Sequence, residues 1–141
     1  MRLVLDTSVI VSAFRSRNGG SRRLLNLALQ RRFDVIATPN LYFEYETVLK
    51  RSIHAEVHGY SDDQIDRFLL LFAGLVEKPK VYYQVRPQLP DPDDEKVLDA
   101  AVSGQAEAIV THNLSDFLPA AKYFGIQVVT PGSILKERFS S

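Results

Sequence analysis

The sequence predicts an α/β fold, with a parallel sheet covered by helices on both faces, and three observations carry that prediction. Leu3-Val4-Leu5, Val35-Ile36-Ala37, Ala108-Ile109-Val110 and Gln127-Val128-Val129 are short apolar runs without polar alternation, as strands buried on both faces require. The segments between them repeat apolar residues at helical spacing. Helix-start signals stand where those segments begin. Strands that alternate with helices join in parallel through right-handed crossovers.

In chain order, Val9 to Phe14 continues apolar after the first strand and meets a polar stretch over 15–20, read as a loop. Ser21 opens a helix whose face is Leu24, Leu25, Leu27, Ala28 and Leu29. Thr38-Pro39-Asn40 closes the second strand. Thr38 or Asn40 there caps a helix over 41–51 that buries Leu41, Tyr45, Val48 and Leu49. Ser61 followed by Gln64 is a capping box, and a helix runs from it to Gly74. Val81-Tyr82-Tyr83-Gln84-Val85 reads as one more strand, and Pro87, Pro90 and Pro92 as a stiff connection. A helix over 94–105 buries Val97, Leu98, Ala101 and Val102. A short one near 114–123 ends at Gly125, and Thr130-Pro131-Gly132-Ser133 caps the last. There is no internal repeat.

The length, 141 residues, fits one domain over 1–141, and a 45% hydrophobic content is enough to fill its core. The absence of cysteine excludes disulfides, zinc–thiolate sites and a cysteine nucleophile, and fits a reducing cytoplasm. No apolar run approaches the roughly 20 residues of a membrane span, and the N-terminus does not read as a signal peptide. Seventeen basic residues balance seventeen acidic ones. Nucleic-acid affinity would therefore have to come from segregated charge. Arg15, Arg17, Arg22, Arg23, Arg31 and Arg32 crowd the first quarter, while Asp91, Asp93, Asp94 and Glu95 form an acidic knot. A solvated helix face and a polar loop are the plain readings of the same runs.

Ligands of open parallel sheets sit beyond the carboxyl ends of the strands. Asp6 follows the first strand, and Thr111-His112-Asn113 follows Ala108–Val110. Glu44 lies early in the helix after the second strand, and Asp94 opens the helix before Ala108. Clustered acids repel one another unless a cation neutralises them, and hard ions such as Mg²⁺ or Mn²⁺ take oxygen ligands of this kind. Such an ion activates water and stabilises charge on a phosphate. Asp6, Glu44 and Asp94 are the expected ligands, with Thr7 or Ser8 orienting Asp6. Taken singly, Asp6 also reads as a helix N-cap, Glu44 as a solvated helix residue and Asp94 as a cap or first-turn acid. His54, His58 and His112 are scattered and read as surface residues.

These segments together resemble the PIN-domain family over essentially the whole chain. The matching pieces are Leu3-Val4-Leu5-Asp6-Thr7-Ser8, Pro39-Asn40-Leu41 through Glu44 to Val48-Leu49, Leu89 to Leu98, and Ala108 to Phe117. The match is closest to the toxin branch of toxin–antitoxin pairs. The resemblance implies an α/β/α sandwich on a five-stranded parallel sheet and Mg²⁺- or Mn²⁺-dependent cleavage of single-stranded RNA. It also implies a homodimer and, in the toxin branch, a small antitoxin protein as partner. By position, Asp6 and Glu44 match the first two family acids. Asp94 matches the third, with Asp91 and Glu95 close by. The fourth falls at Asn113 or at Asp116, and Thr111 matches a hydroxyl that orients the site.

The expected activity is thus that of an endoribonuclease. Asp6, Glu44 and Asp94 hold the metal, Asn113 or Asp116 completes the shell, Ser8, Thr111 and Asp91 support it, and Arg15, Arg22 and Arg23 steer the RNA backbone. One rival is a non-catalytic RNA- or protein-binding module with an incomplete metal site, which Asn113 and the neutral charge favour. Another is a phosphatase with Asp6 as nucleophile. That pattern wants a second Asp two residues on, where this chain has Ser8.

Overall fold

The computed structural model describes residues 1–82, 89 and 91–140. Four parallel strands, β1 (Arg2–Leu5), β2 (Asp34–Val35), β3 (Ala108–Val110) and β4 (Gln127–Val129), stand in the order β2-β1-β3-β4. The register pairs Leu3 with Val35 on one side of β1 and Leu5 with Val110 on the other. Leu3, Val4 and Leu5 are wholly buried, so successive side chains meet cover on both faces, which is why this strand shows no polar alternation.

The helices are α1 (Thr7–Arg15), α2 (Gly20–Leu29), α3 (Pro39–Lys50), α4 (Ser52–His58), α5 (Asp62–Leu75), α6 (Pro92–Ser103), α7 (Leu114–Phe124) and α8 (Pro131–Arg138). Three of the starts are those the sequence announces. Thr38 accepts from the Leu41 N–H, Thr130 from the Ser133 N–H, and Ser61 and Gln64 close both halves of their capping box. From β1 the chain crosses to β2 on one side, and from β3 to β4 on the other. Right-handed crossovers in opposite directions put their helices on opposite faces, and accordingly α2 packs on α1 and α8, whereas α6 packs on α7. Between β1 and β3 lies the point where the winding reverses, where such sheets open a crevice at their carboxyl edge.

The five-stranded sheet expected from the sequence is corrected to four strands among the described residues. Beyond β2, pairing among the described residues amounts to one parallel bridge, Ile36 with Glu77, in which Glu77 N–H donates to Val35 O at 2.7 Å. Pro79 follows two residues later and has no N–H with which to continue a ladder. Val81 and Tyr82 are not in a strand, and the rest of the expected Val81–Val85 strand lies outside the described residues. Helix α1 begins at Thr7, and α4 occupies a segment to which the sequence reading assigned no element.

Candidate active site at the carboxyl edge of the sheet

Asp6 stands at the first turn of α1, where the sequence left a helix cap and a functional carboxylate equally open. The structure separates them. Its side chain makes no cap hydrogen bond. Instead Ser8 Oγ and Thr111 Oγ1 each donate to Asp6 Oδ2 at 2.7 Å. Both hydroxyls are themselves oriented from behind. Thr111 Oγ1 accepts from the Asn113 N–H at 2.9 Å, and Ser8 Oγ from the His112 N–H at 3.3 Å. With an oxygen lone pair engaged that way, each hydroxyl is left to point its proton at Asp6. The Asp6 N–H donates to Val110 O at 2.9 Å, so the residue also extends the β1–β3 ladder. One carboxylate oxygen is thereby fixed and the other turned to further partners, in a residue only 4% exposed.

Glu44 comes to the same edge on α3, which is anchored by its neighbour. Tyr45 is fully buried and its phenol donates to Leu5 O, the last carbonyl of β1. Burial, with the charge of Asp6 added, raises that phenol far above its usual range and keeps it a donor. Glu44 is itself buried, and its Oε2 accepts from Lys96 Nζ at 2.9 Å. Lys96 also lies 3.5 Å from Asp93. Sequence reading missed this lysine. Its one local signal is a lone cation closing the acidic knot.

Asp94 sits in the first turn of α6, and the cap belongs to Asp91, whose Oδ1 accepts from the Asp93 N–H at 2.9 Å. Glu95, the other acid close to Asp94, accepts from the Leu89 N–H at 2.6 Å. Asp94 is the acid that feels the cluster. Burial first, then the charges of Asp6, Asp91, Asp116 and Asp93, push its carboxyl up to about 7. Asp116 is exposed in the first turn of α7, and its N–H donates to the Asn113 carbonyl at 3.1 Å. Asp6, Asp94 and Asp116 are therefore one electrostatic group, whereas Glu44 is matched with a cation.

The remaining expectations divide. Ser8 and Thr111 touch Asp6, and Asp91 caps α6 beside Asp94. Arg15 and Arg23 are exposed. Arg22 is half-buried, with its guanidinium over the Phe14 ring and Nη1 donating to Ala13 O and Tyr60 Oη, so it holds α2 to its surroundings. Of the histidines, His112 is exposed and bonds Ser21, while His54 and His58 are half-buried.

A hard divalent ion suits this set in kind. The donors are oxygens, Asp94 carries unrelieved like-charge repulsion, and Asp6 is held with an oxygen to spare. Among the described residues no three acidic or imidazole groups form a ready-made cage. Glu44 would have to exchange Lys96 for the ion.

The observation that decides the kinship is sequence-wide. The family profile for the PIN domain matches residues 2–115, a span that includes Asp6, Glu44, Asp94 and Thr111. The chain belongs to the PIN-domain family. Among solved structures, this PIN domain is similar to the 2.2 Å structure of VapBC-1 from nontypeable Haemophilus influenzae, with a TM-score of 0.60 and 17% identity. The match covers 94% of this chain and 99% of that one, and at that identity it speaks for the fold. No curated protein matches the sequence.

Proposed function

We propose that this PIN domain is a Mg²⁺- or Mn²⁺-dependent endoribonuclease acting on single-stranded RNA, the toxin of a toxin–antitoxin pair with a small antitoxin protein as partner. The observation that carries the reading is the carboxylate pair Asp6–Asp94 at the winding reversal. Asp6 is oriented by two hydroxyls, and Asp94 has its charge opposed by its acidic neighbours. Asp6, Asp94 and Glu44 are the assigned ligands, and Asp116 is the better fourth acid, since its charge reaches Asp94 while Asn113 supplies a backbone N–H to Thr111. When bound, a divalent cation supplies acidified water and positive charge for phosphodiester displacement. Ser8 and Thr111 keep Asp6 from rotating, Asp91 holds the first turn of α6, and Lys96 neutralises Glu44 meanwhile. Arg15 and Arg23 are free to meet RNA phosphate. The resemblance to the family adds a homodimer in the cytoplasm.

The test is cleavage of a single-stranded RNA by the purified chain in Mn²⁺. Cleavage that Asp6→Asn and chelation each abolish supports the proposal, and activity surviving Asp6→Asn refutes it. The Lys96–Glu44 pair favours a second reading, an RNA- or protein-binding module that does not cut. Tight RNA binding with no heat of Mn²⁺ binding in calorimetry would select that one.

A further inference from the structure

The carboxylate edge continues past Glu44. A cavity of about 360 Å³ opens there, at the carboxyl end of β2 and between the start of α3 and α6. Thr38, Pro39 and Asn40 form one wall, Lys96, Asp99 and Ser103 another, and Tyr82 a third. Two links join it to the carboxylate site. Asn40 precedes Glu44 by one turn of α3 and shares its face. Lys96 lines the cavity while its Nζ donates to Glu44 Oε2.

The lining narrows the choice of occupant. It carries one cation, one carboxylate, an amide and a serine hydroxyl, so a phosphate drawn to Lys96 would meet Asp99 as well. The Thr38 hydroxyl is spent on its cap. The apolar walls are the Pro39 ring and Tyr82, which is 54% exposed. Asn40 is exposed and Lys96, Asp99 and Ser103 are half-buried, so none of them is shut away from a ligand.

A flat neutral group that stacks on an aromatic ring and presents donors beside an acceptor suits such walls, and nucleobases of single-stranded RNA are groups of that kind. Guanine suits them best. Its N1–H and N2–H₂ are neighbouring donors that one carboxylate accepts together, and the adjacent O6 accepts from an ammonium. Adenine and cytosine offer a carboxylate one amino group only, and uracil a single N–H between two carbonyls. Lys96 and Asp99 stand three residues apart on one helix face, with about 5–6 Å between Cβ atoms, close to the spread of that edge. Asp99 also interacts within the chain, and a carboxylate has about four lone-pair sites to share. Lys96 has protons beyond the one that Glu44 takes.

We propose that this cavity is a guanine-selective base subsite for single-stranded RNA, in which the base stacks on Tyr82, Asp99 accepts from N1–H and N2–H₂, and Lys96 donates to O6. The inference rests on the ribonuclease reading above and adds to it the base that is selected.

The test is fluorescence anisotropy of labelled UUUGUUU and UUUAUUU with the full chain in EDTA, where binding is read without turnover. The wild type is expected to bind the guanine oligomer about tenfold more tightly. Tyr82→Ala should weaken that binding about tenfold, and Tyr82→Phe, which keeps the ring, should restore it. Asp99→Asn puts an amide where two acceptors are needed, so the preference should vanish while UUUAUUU binding stays within about twofold. Lys136→Gln, exposed on α8, should change neither affinity by more than about twofold. Tyr82 is a surface residue, so its variants decide the stacking role even where Asp99→Asn fails to fold. Equal affinity of the wild type for the two oligomers overturns the subsite, as does a preference that survives Asp99→Asn. If that wild type still cuts RNA in Mn²⁺, the ribonuclease reading stands. A wild type that binds neither oligomer yet cuts RNA loses the subsite alone, and one that does neither overturns both. GMP that competes at the oligomer's own Kd overturns the RNA assignment in favour of a free guanine nucleotide.

Discussion

Replacing Asp94 by Asn should make the metal-free protein more stable at alkaline pH and leave it unchanged in acid. In the folded chain the Asp94 carboxyl is pushed up to about 7 from an ordinary 3.8. The folded state therefore holds this proton more tightly than the unfolded one. As pH rises from 4 to 8, the unfolded chain releases the proton first, and stability is withdrawn across that window. A gap of about three pH units corresponds to ~4 kcal/mol if undiminished. Asp94 is half-exposed, so water and salt screen much of this, and about 1–2 kcal/mol is the reasonable size. Asn, neutral at all these pH values, escapes the penalty. For a domain of this length, that is roughly 4–8 °C in Tm. Thermal melts of parent and Asp94→Asn in EDTA, at pH 4 and pH 8, read it directly. The reasoning is refuted by an equal shift at both pH values, or by a variant that melts no higher than the parent at pH 8. Saturating Mn²⁺ should reverse the order at pH 8, because the parent gains binding energy there and the variant loses a ligand.

Three further expectations follow from the same geometry. Thr111→Val keeps the shape but removes a donor to Asp6 and an acceptor for the Asn113 N–H, so Mn²⁺ affinity by calorimetry should fall about 10–100-fold. Lys96→Met frees Glu44 of its internal cation, and Mn²⁺ should then bind about fivefold more tightly, with weaker binding contradicting the idea of competition. Gly104→Ala should cost about 1–3 kcal/mol in urea unfolding, since a Cβ there would lie 2.4 Å from Ile36 Cγ2 in the core and 3.1 Å from the Ala100 carbonyl.

What was legible in the sequence is what local pattern encodes. The strand runs through Leu3, Ile36, Ile109 and Val128, and the caps at Thr38, Ser61 and Thr130, are statements about neighbours in the chain. Together with the sheet-edge rule they brought Asp6 and Thr111 to one place, although 105 residues separate them. The losses have physical reasons. Helix α4 has no buried residue and so shows no apolar stripe to read. The Lys96–Glu44 pair spans 52 residues and leaves no periodic trace. Arg22 looked like one more surface cation because stacking on Phe14 is invisible without the fold. His54 looked like a surface residue because its partial burial comes from the packing of α4 against α1 and α3. The expected strand over 81–85 rested on apolar β-branched and aromatic residues after Pro79, and of these Val81 and Tyr82 are not in a strand while 83–85 lie outside the described residues.

The bond from Thr111 to Asp6 also orders events in time. During synthesis β1 is made early, but its central neighbour β3 and the hydroxyl that fixes Asp6 do not exist until the ribosome has passed residue 111. Until then Asp6 has Ser8 alone to steady it, and the carboxyl edge has no second wall. Contacts of such long sequence separation form slowly even when all residues are present. Whatever chemistry this edge performs, the nascent chain cannot begin it while still being translated through its first hundred residues.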